Sequence, residues 1–261
     1  MPYQPLELLG GLFTIPFLVY ACYSDIRIRE VDDEVWLVFL AVALPMNLIR
    51  LFLYREEGSI LLIGLISIIL GIFLAFFLVG LGLWGGADGK AFICISLISP
   101  LPIVSELSLF EKIIPLSLTF FMNAYLLLIP LPLLIFFFNV FRFKSKSSLY
   151  RESSSSVFRK FFTLFIGWPE SLSSIKKRHH WHYDFLEKKV DLQWKISFGM
   201  KLGDPEEDLQ RRKDIIIQLD ESGRTAAWIQ PSLPFLLPMT IGYYGALLAE
   251  NLMVQVIALL L

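Results

Sequence analysis

The sequence predicts a mainly α-helical membrane protein, with about six transmembrane helices and a small β-containing cytoplasmic lobe between the fifth and the sixth. Three observations carry this reading. Of 261 residues, 56% are hydrophobic and only 18% are charged, where a soluble domain holds roughly a quarter charged residues. Mean hydropathy is +0.63. The apolar residues also gather into runs of the ~20 residues that cross a hydrocarbon core of about 30 Å. Lastly, one polar insert, 142–230, interrupts these runs late in the chain. A single soluble globule is excluded. The net charge of −1 offers no concentrated basic face, so no nucleic-acid partner is expected. Cys22 and Cys94 lie inside apolar runs and supply neither a zinc site nor a disulfide framework, so no metal or other cofactor is expected.

The elements follow in order. The first run covers 5–24 and stops at Asp25; it has no basic leader region and no small-residue cleavage site, so it reads as an anchor. A charged stretch from Asp25 to Glu34 leads to a second run, 35–54, where Arg50 near the far end is expected to snorkel to the interface. After a short turn comes a third run, 60–83, then Gly85-Gly86-Ala87-Asp88-Gly89-Lys90. A fourth run, 91–104, is broken late by Pro100 and Pro102. The fifth covers 113–141 and the sixth 232–261. Domains are expected at 1–141 (membrane body), 142–230 (insert) and 231–261 (last helix).

The insert holds 17 of the 23 Lys and Arg against 12 Asp and Glu, and Arg142, Lys144 and Lys146 sit at the membrane edge. Basic loops stay cytoplasmic. With five spans before it, the N-terminus falls outside, and the Asp25 and Asp88 loops share the cytoplasmic side. Within the insert, Val157 to Ile166 suits a helix on the membrane surface. Alternation from Lys189 to Phe198 reads as one strand. Asp214 to Leu219 and Arg224 to Gln230, around Asp220-Glu221-Ser222-Gly223, read as a hairpin. His179, His180 and His182 follow a basic run, and a lipid-headgroup patch fits them better than a metal site.

Asp25 and Asp88 each end a long apolar run, and a carboxylate at membrane depth is a functional hypothesis by default. The alternative is that both are helix-end residues in water. The tiny residues Gly85, Gly86, Ala87 and Gly89 let another helix or an extended peptide approach Asp88 closely; a plain small-residue helix terminus is the other reading. Two carboxylates brought together share a proton, so one activates water against a peptide carbonyl while the other donates to the carbonyl oxygen.

Tyr23-Ser24-Asp25-Ile26-Arg27-Ile28-Arg29-Glu30-Val31 and Gly85-Gly86-Ala87-Asp88-Gly89-Lys90 resemble the two signatures of the type IV prepilin peptidase family, polytopic aspartic proteases of the GxGD class. The span count and the long insert before the last helix resemble the archaeal preflagellin (archaellin) peptidases of that family. The resemblance implies Asp25 and Asp88 as a catalytic dyad that removes a short basic leader from preflagellins or prepilins at the cytoplasmic face. Ala87 stands where the GxGD pattern has Gly. The bacterial members' tetracysteine zinc segment and methylating activity have no counterpart before Asp25, so proteolysis without methylation is expected.

Glu30, Asp32, Asp33 and Glu34 are an acidic guide for a basic leader, or else a solvated loop favoured by the N-terminus of the second span. Lys90 either acts on a carboxylate or substrate, or anchors the membrane edge; Arg27 and Arg29 are read as edge anchors. Pro231, Pro234 and Pro238 open the last span and border the active cleft or simply start a helix. Two other readings use the same aspartates: an intramembrane protease like presenilin or signal peptide peptidase, and a proton- or cation-coupled transporter. The first Asp lies too far back in the chain for the former, and no internal repeat supports the latter.

Overall fold

A computed structural model of the chain describes residues 4–81, 83–101, 114–152, 155–177, 183–190, 193–196, 205–231, 234–249, 252 and 255. In order, the elements are α1 (Gln4–Ile28), α2 (Asp33–Leu53), α3 (Gly58–Gly80), α4 (Gly86–Ile98), α5 (Leu116–Leu128), α6 (Pro130–Glu152), α7 (Val157–Ile166), β1 (Trp168–Ser171), α8 (Leu172–Ile175), β2 (Tyr183–Phe185), β3 (Glu187–Val190), β4 (Gln193–Ile196), α9 (Pro205–Glu221), β5 (Ala226–Pro231) and α10 (Leu236–Ala249). They form two compact units, Met1–Leu128 with Pro234–Leu261, and Ile129–Leu233.

In the first unit, α3 reverses the pattern of a soluble protein's helix. Along α3 the buried positions are Gly64, Ser67, Gly71, Ala75 and Leu78, while Leu62, Leu65, Ile69, Phe73 and Phe76 are exposed. Small residues let helices approach, and the bulky apolar ones face the solvent that suits them, lipid. Among the described residues, four stretches are long and apolar enough to cross a membrane: Pro5–Ile28, Asp33–Leu53, Gly58–Gly80 and Leu116–Phe141. The chain is a multi-pass membrane protein. The apolar helix at the start of the sixth run, Leu236–Leu248, is shorter.

At the centre lies α4, which touches α1, α2, α3, α5 and α10. Ala91, Phe92, Cys94, Ile95, Ser96 and Ile98 are buried, as befits a helix enclosed on all sides. α10 packs chiefly on α5. Their contact is close because Gly242 has no side chain: a Cβ there would lie 2.7 Å from the Ala124 nitrogen and 2.9 Å from the Phe120 carbonyl oxygen.

Several details differ from the sequence reading. α1 continues to Ile28, so Asp25 sits in its last turn and not in the loop after it. The run 113–141 holds two helices, α5 and α6, separated at Ile129 just before Pro130, whose ring removes a backbone donor. Arg50 does not snorkel: it is 4% exposed and paired with Glu7.

In the second unit, β1, β5 and β2 form an antiparallel sheet in that order, with Trp168 and Phe185 both opposite Ile229. Residues expected as one strand from Lys189 are split between β3 and β4, an antiparallel pair in which Val190 faces Gln193. The alternation survives within β4, where Trp194 and Ile196 are buried. Asp214 to Leu219 is helix and not a hairpin strand; only its partner, β5, is a strand. As a helix it turns Ile215, Ile216 and Leu219 onto the sheet core together, a spacing that one helix face provides. α7 buries Thr163 and leaves Val157, Phe158, Phe161 and Phe162 exposed. The three histidines lie outside the described residues.

Candidate functional site

Asp25 reaches the site because α1 runs one turn beyond its apolar stretch. The residue is 8% exposed. Two groups face its carboxylate. Arg29, one turn on, brings Nη1 to 3.6 Å from Oδ1. The backbone N–H of Leu236, the first residue of α10, faces it. Its Oδ2 is buried and accepts no hydrogen bond among the described residues. α10 therefore presents a backbone donor at its N-terminus to the carboxylate.

Asp88 is the third residue of α4. The helix is capped by Gly85, whose backbone N–H donates to Asp88 Oδ2 at 3.0 Å. A short acidic side chain reaching back to the residue that caps the helix is a local arrangement written in the spacing of Gly85 and Asp88. Gly89 then allows α4 to seat against α3, since a Cβ there would meet Val79 Cγ2 at 2.7 Å.

The structure brings the two aspartates together. The charge of Asp25 acts on Asp88, and Arg29 feels both carboxylates. Asp25, Arg29 and Asp88 thus make one charged cluster, at the C-terminal end of α1 and the N-terminal end of α4. Behind it stands an aromatic wall. The Trp84 ring lies 5.0 Å from Phe92 and 5.1 Å from Phe235 between centroids, and its Nε1 donates to the Tyr125 hydroxyl at 3.1 Å. Tyr125 in turn lies within electrostatic reach of Asp88.

The other sequence candidates fall elsewhere. Lys90 Nζ is 2.5 Å from Asp33 Oδ1 and so ties α4 to the start of α2; it pairs with Asp33 rather than with a site carboxylate. Tyr20 donates to Asp32 at 2.8 Å. Glu30 and Glu34 are exposed. Arg27 donates to the Tyr23 hydroxyl on the exposed side of α1. Arg29 was placed with it as an edge anchor, yet Arg29 belongs to the cluster. The signal for that role was present in the sequence, because Arg29 stands four residues after Asp25 and helical neighbours at that spacing meet. The approach of Leu236 had no comparable local signal. Among the described residues no three or more His, Cys, Asp or Glu gather as a metal site would require.

This arrangement places two carboxylates, with a cation beside them, at helix ends. That is equipment for moving protons to and from a bound carbonyl group. No curated protein matches the chain. A family model, described as the type IV leader peptidase family, matches residues 12–141, the segment that holds Asp25, Arg29 and Asp88. The chain belongs to the type IV leader peptidase family and is a membrane protease of that kind.

Proposed function

We propose that the chain is an aspartic endopeptidase that removes the short basic leader of preflagellins or type IV prepilin-like proteins at the cytoplasmic face. The observation that carries this is the meeting of Asp25 and Asp88, on separate helices, within electrostatic reach of one another. Two carboxylates brought close enough share one proton between them. The ionised member takes a proton from a water, whose oxygen attacks the scissile carbonyl carbon. The protonated member donates to the carbonyl oxygen, and a tetrahedral diol forms. Collapse of the diol breaks the C–N bond while a proton passes to the departing amine. The dyad ends with its one proton restored.

Arg29 compensates the charge of the resting pair and shifts as the proton is shared. Glu30 and Glu34, both exposed, are the members of the acidic stretch suited to meet a basic leader, since Asp32 and Asp33 already have partners. The basic residues of the insert support a cytoplasmic location for that part of the chain.

The test is cleavage of an archaeal preflagellin in membranes containing the wild-type chain, Asp25→Asn or Asp88→Asn, read as the gel shift on leader loss. Both variants should insert normally and cleave nothing. Cleavage surviving in either would remove that aspartate from the mechanism. An inactive wild type across several preflagellins and prepilins would point to another substrate, or to proton-coupled transport by the same aspartates.

A further inference from the structure

The helix that carries Asp88 stops inside the body. α4 has 13 residues, about 20 Å at 1.5 Å per residue, short of the ~30 Å a span requires. Its last carbonyls, Leu97 and Ile98, have no following turn to donate to them. Away from water an unanswered carbonyl is expensive, so irregular backbone at membrane depth needs protein donors.

Those donors come from α2. Arg50 Nη2 donates to the Ile98 carbonyl, and Arg50 Nη1 reaches the Leu97 carbonyl at 3.5 Å. Asn47 Nδ2 donates to the same Leu97 carbonyl at 2.8 Å and to the Ala43 carbonyl at 2.9 Å. The remaining guanidinium hydrogens are also used. Nε donates to Glu7 Oε1 at 2.6 Å and Nη2 to Glu7 Oε2 at 2.8 Å, a two-pronged pair with α1. Nη1 donates to Asn47 Oδ1 at 3.0 Å. Glu7 is 0% exposed. One residue on, the Ser99 hydroxyl bonds the Tyr243 hydroxyl of α10 at 2.8 Å.

We propose that Glu7, Asn47 and Arg50 are positioning residues for the reaction, a buried clasp that caps α4 and pins it along its axis to α1. Resting on the reading of Asp25 and Asp88 as the reacting pair, the clasp keeps the two carboxylates level. Apolar packing resists separation of helices but only weakly resists sliding, because Leu, Ile and Phe surfaces offer similar contacts after a small shift. A forked guanidinium bound to a carboxylate and to two carbonyls tolerates no such slip. Buried ion pairs add little net stability, and their best-attested use is to specify one register. Asp88 stands ten residues from Ile98 on α4 and Asp25 eighteen from Glu7 on α1, so the clasp sets the height of both helices from their far ends.

The experiment uses the full chain in membranes, with Arg50→Lys, Asn47→Leu and the exchange Glu7→Arg with Arg50→Glu. Two readouts are taken below each variant's unfolding temperature. The first is kcat and KM on a leader-bearing preflagellin. A 1 Å error in placing reacting groups costs about 10²-fold, so Arg50→Lys, which keeps charge but loses the fork, should lower kcat by about that factor with KM unchanged. The exchange should recover part of it. The second readout needs no activity: yield of a short bifunctional maleimide cross-link between Asp25→Cys and Asp88→Cys, in a chain carrying Cys22→Ala and Cys94→Ala. Adding Arg50→Lys or Asn47→Leu should cut that yield several-fold. Unchanged yield and unchanged kcat in folded Arg50→Lys and Asn47→Leu overturn the proposal, as does a change confined to KM. Should Arg50→Lys fail to fold, Asn47→Leu, which leaves the ion pair intact, decides alone. If the parent pair fails to cross-link, the dyad reading itself falls, and the clasp has nothing to position.

Discussion

Arg29 folds back along α1 so that its Nη1 lies 3.6 Å from Asp25 Oδ1, and it does so from a backbone φ of +62°. Only a few per cent of non-glycine residues adopt that region, which costs roughly 1–2 kcal/mol for a side chain with Cβ. A helix that ends in such a residue usually ends in glycine. Arginine here accepts the backbone strain and brings a guanidinium to Asp25, with the charge of Asp88 also acting on it.

Replacing Arg29 separates those two contributions. Arg29→Gly relieves the strain while losing the ion pair, so thermal stability should change by less than about 1 kcal/mol. Activity should fall, and the acidic limb of the pH–rate profile should move to higher pH, because a carboxylate pair without its cation holds a proton more firmly. Arg29→Lys should keep the limb near its wild-type position. A profile unmoved in Arg29→Gly would leave Arg29 as a helix-end residue only. The measurement is kcat/KM across pH for the three chains.

The acidic guide makes a kinetic prediction. Glu30→Lys with Glu34→Lys should raise KM for a leader with several basic residues by about tenfold, and the effect should shrink in high salt because exposed charges are screened. kcat should hold. The same variant tested on a leader whose basic residues are replaced by glutamine should show little change in KM.

Lys90 and Asp33 form an exposed pair, with side chains 48% and 74% accessible. Pairs of that kind contribute roughly 0.2–1 kcal/mol. Lys90→Met, Asp33→Asn and the double variant should therefore unfold within about 1 kcal/mol of the wild type and cleave at similar rates. A large loss of kcat in Lys90→Met alone would return Lys90 to the reacting site.

Gly242 is predicted to be intolerant. A methyl group there meets main-chain atoms of α5 at 2.7 and 2.9 Å, and backbone cannot swing aside as a side chain does. Gly242→Ala should destabilise by about 1–3 kcal/mol, the usual range for overpacking, and Gly242→Val by more. Thermal unfolding in detergent measures both, with Gly80→Ala, where a Cβ meets nothing within 4 Å, as the neutral comparison.

Much of the membrane body was legible before any fold was known. Hydrocarbon cannot hydrogen-bond, so each crossing needs a long apolar run, and α1, α2 and α3 follow their runs to within a few residues. The Gly85 to Asp88 cap is local too, since its partners are three residues apart and interact through one turn of chain, although the sequence reading begins the fourth run only at Ala91. Arg29 could have been read in the same way from its spacing to Asp25.

Other features depended on partners far away in sequence. The Ile215-Ile216-Ile217 run reads as strand because β-branched residues favour pleated surfaces. It forms helix because the sheet offers a core that Ile215, Ile216 and Leu219 can enter together. Arg50 near the end of a span reads as a snorkelling residue, since lipid is the only surrounding that sequence implies. A buried carboxylate on α1 and two open carbonyls on α4 draw it inward instead. Local composition is enough to decide which segments enter the membrane, because that choice is settled residue by residue against the solvent. Which charges meet within it is decided by helix packing, because a buried charge survives only where the folded chain supplies its partner.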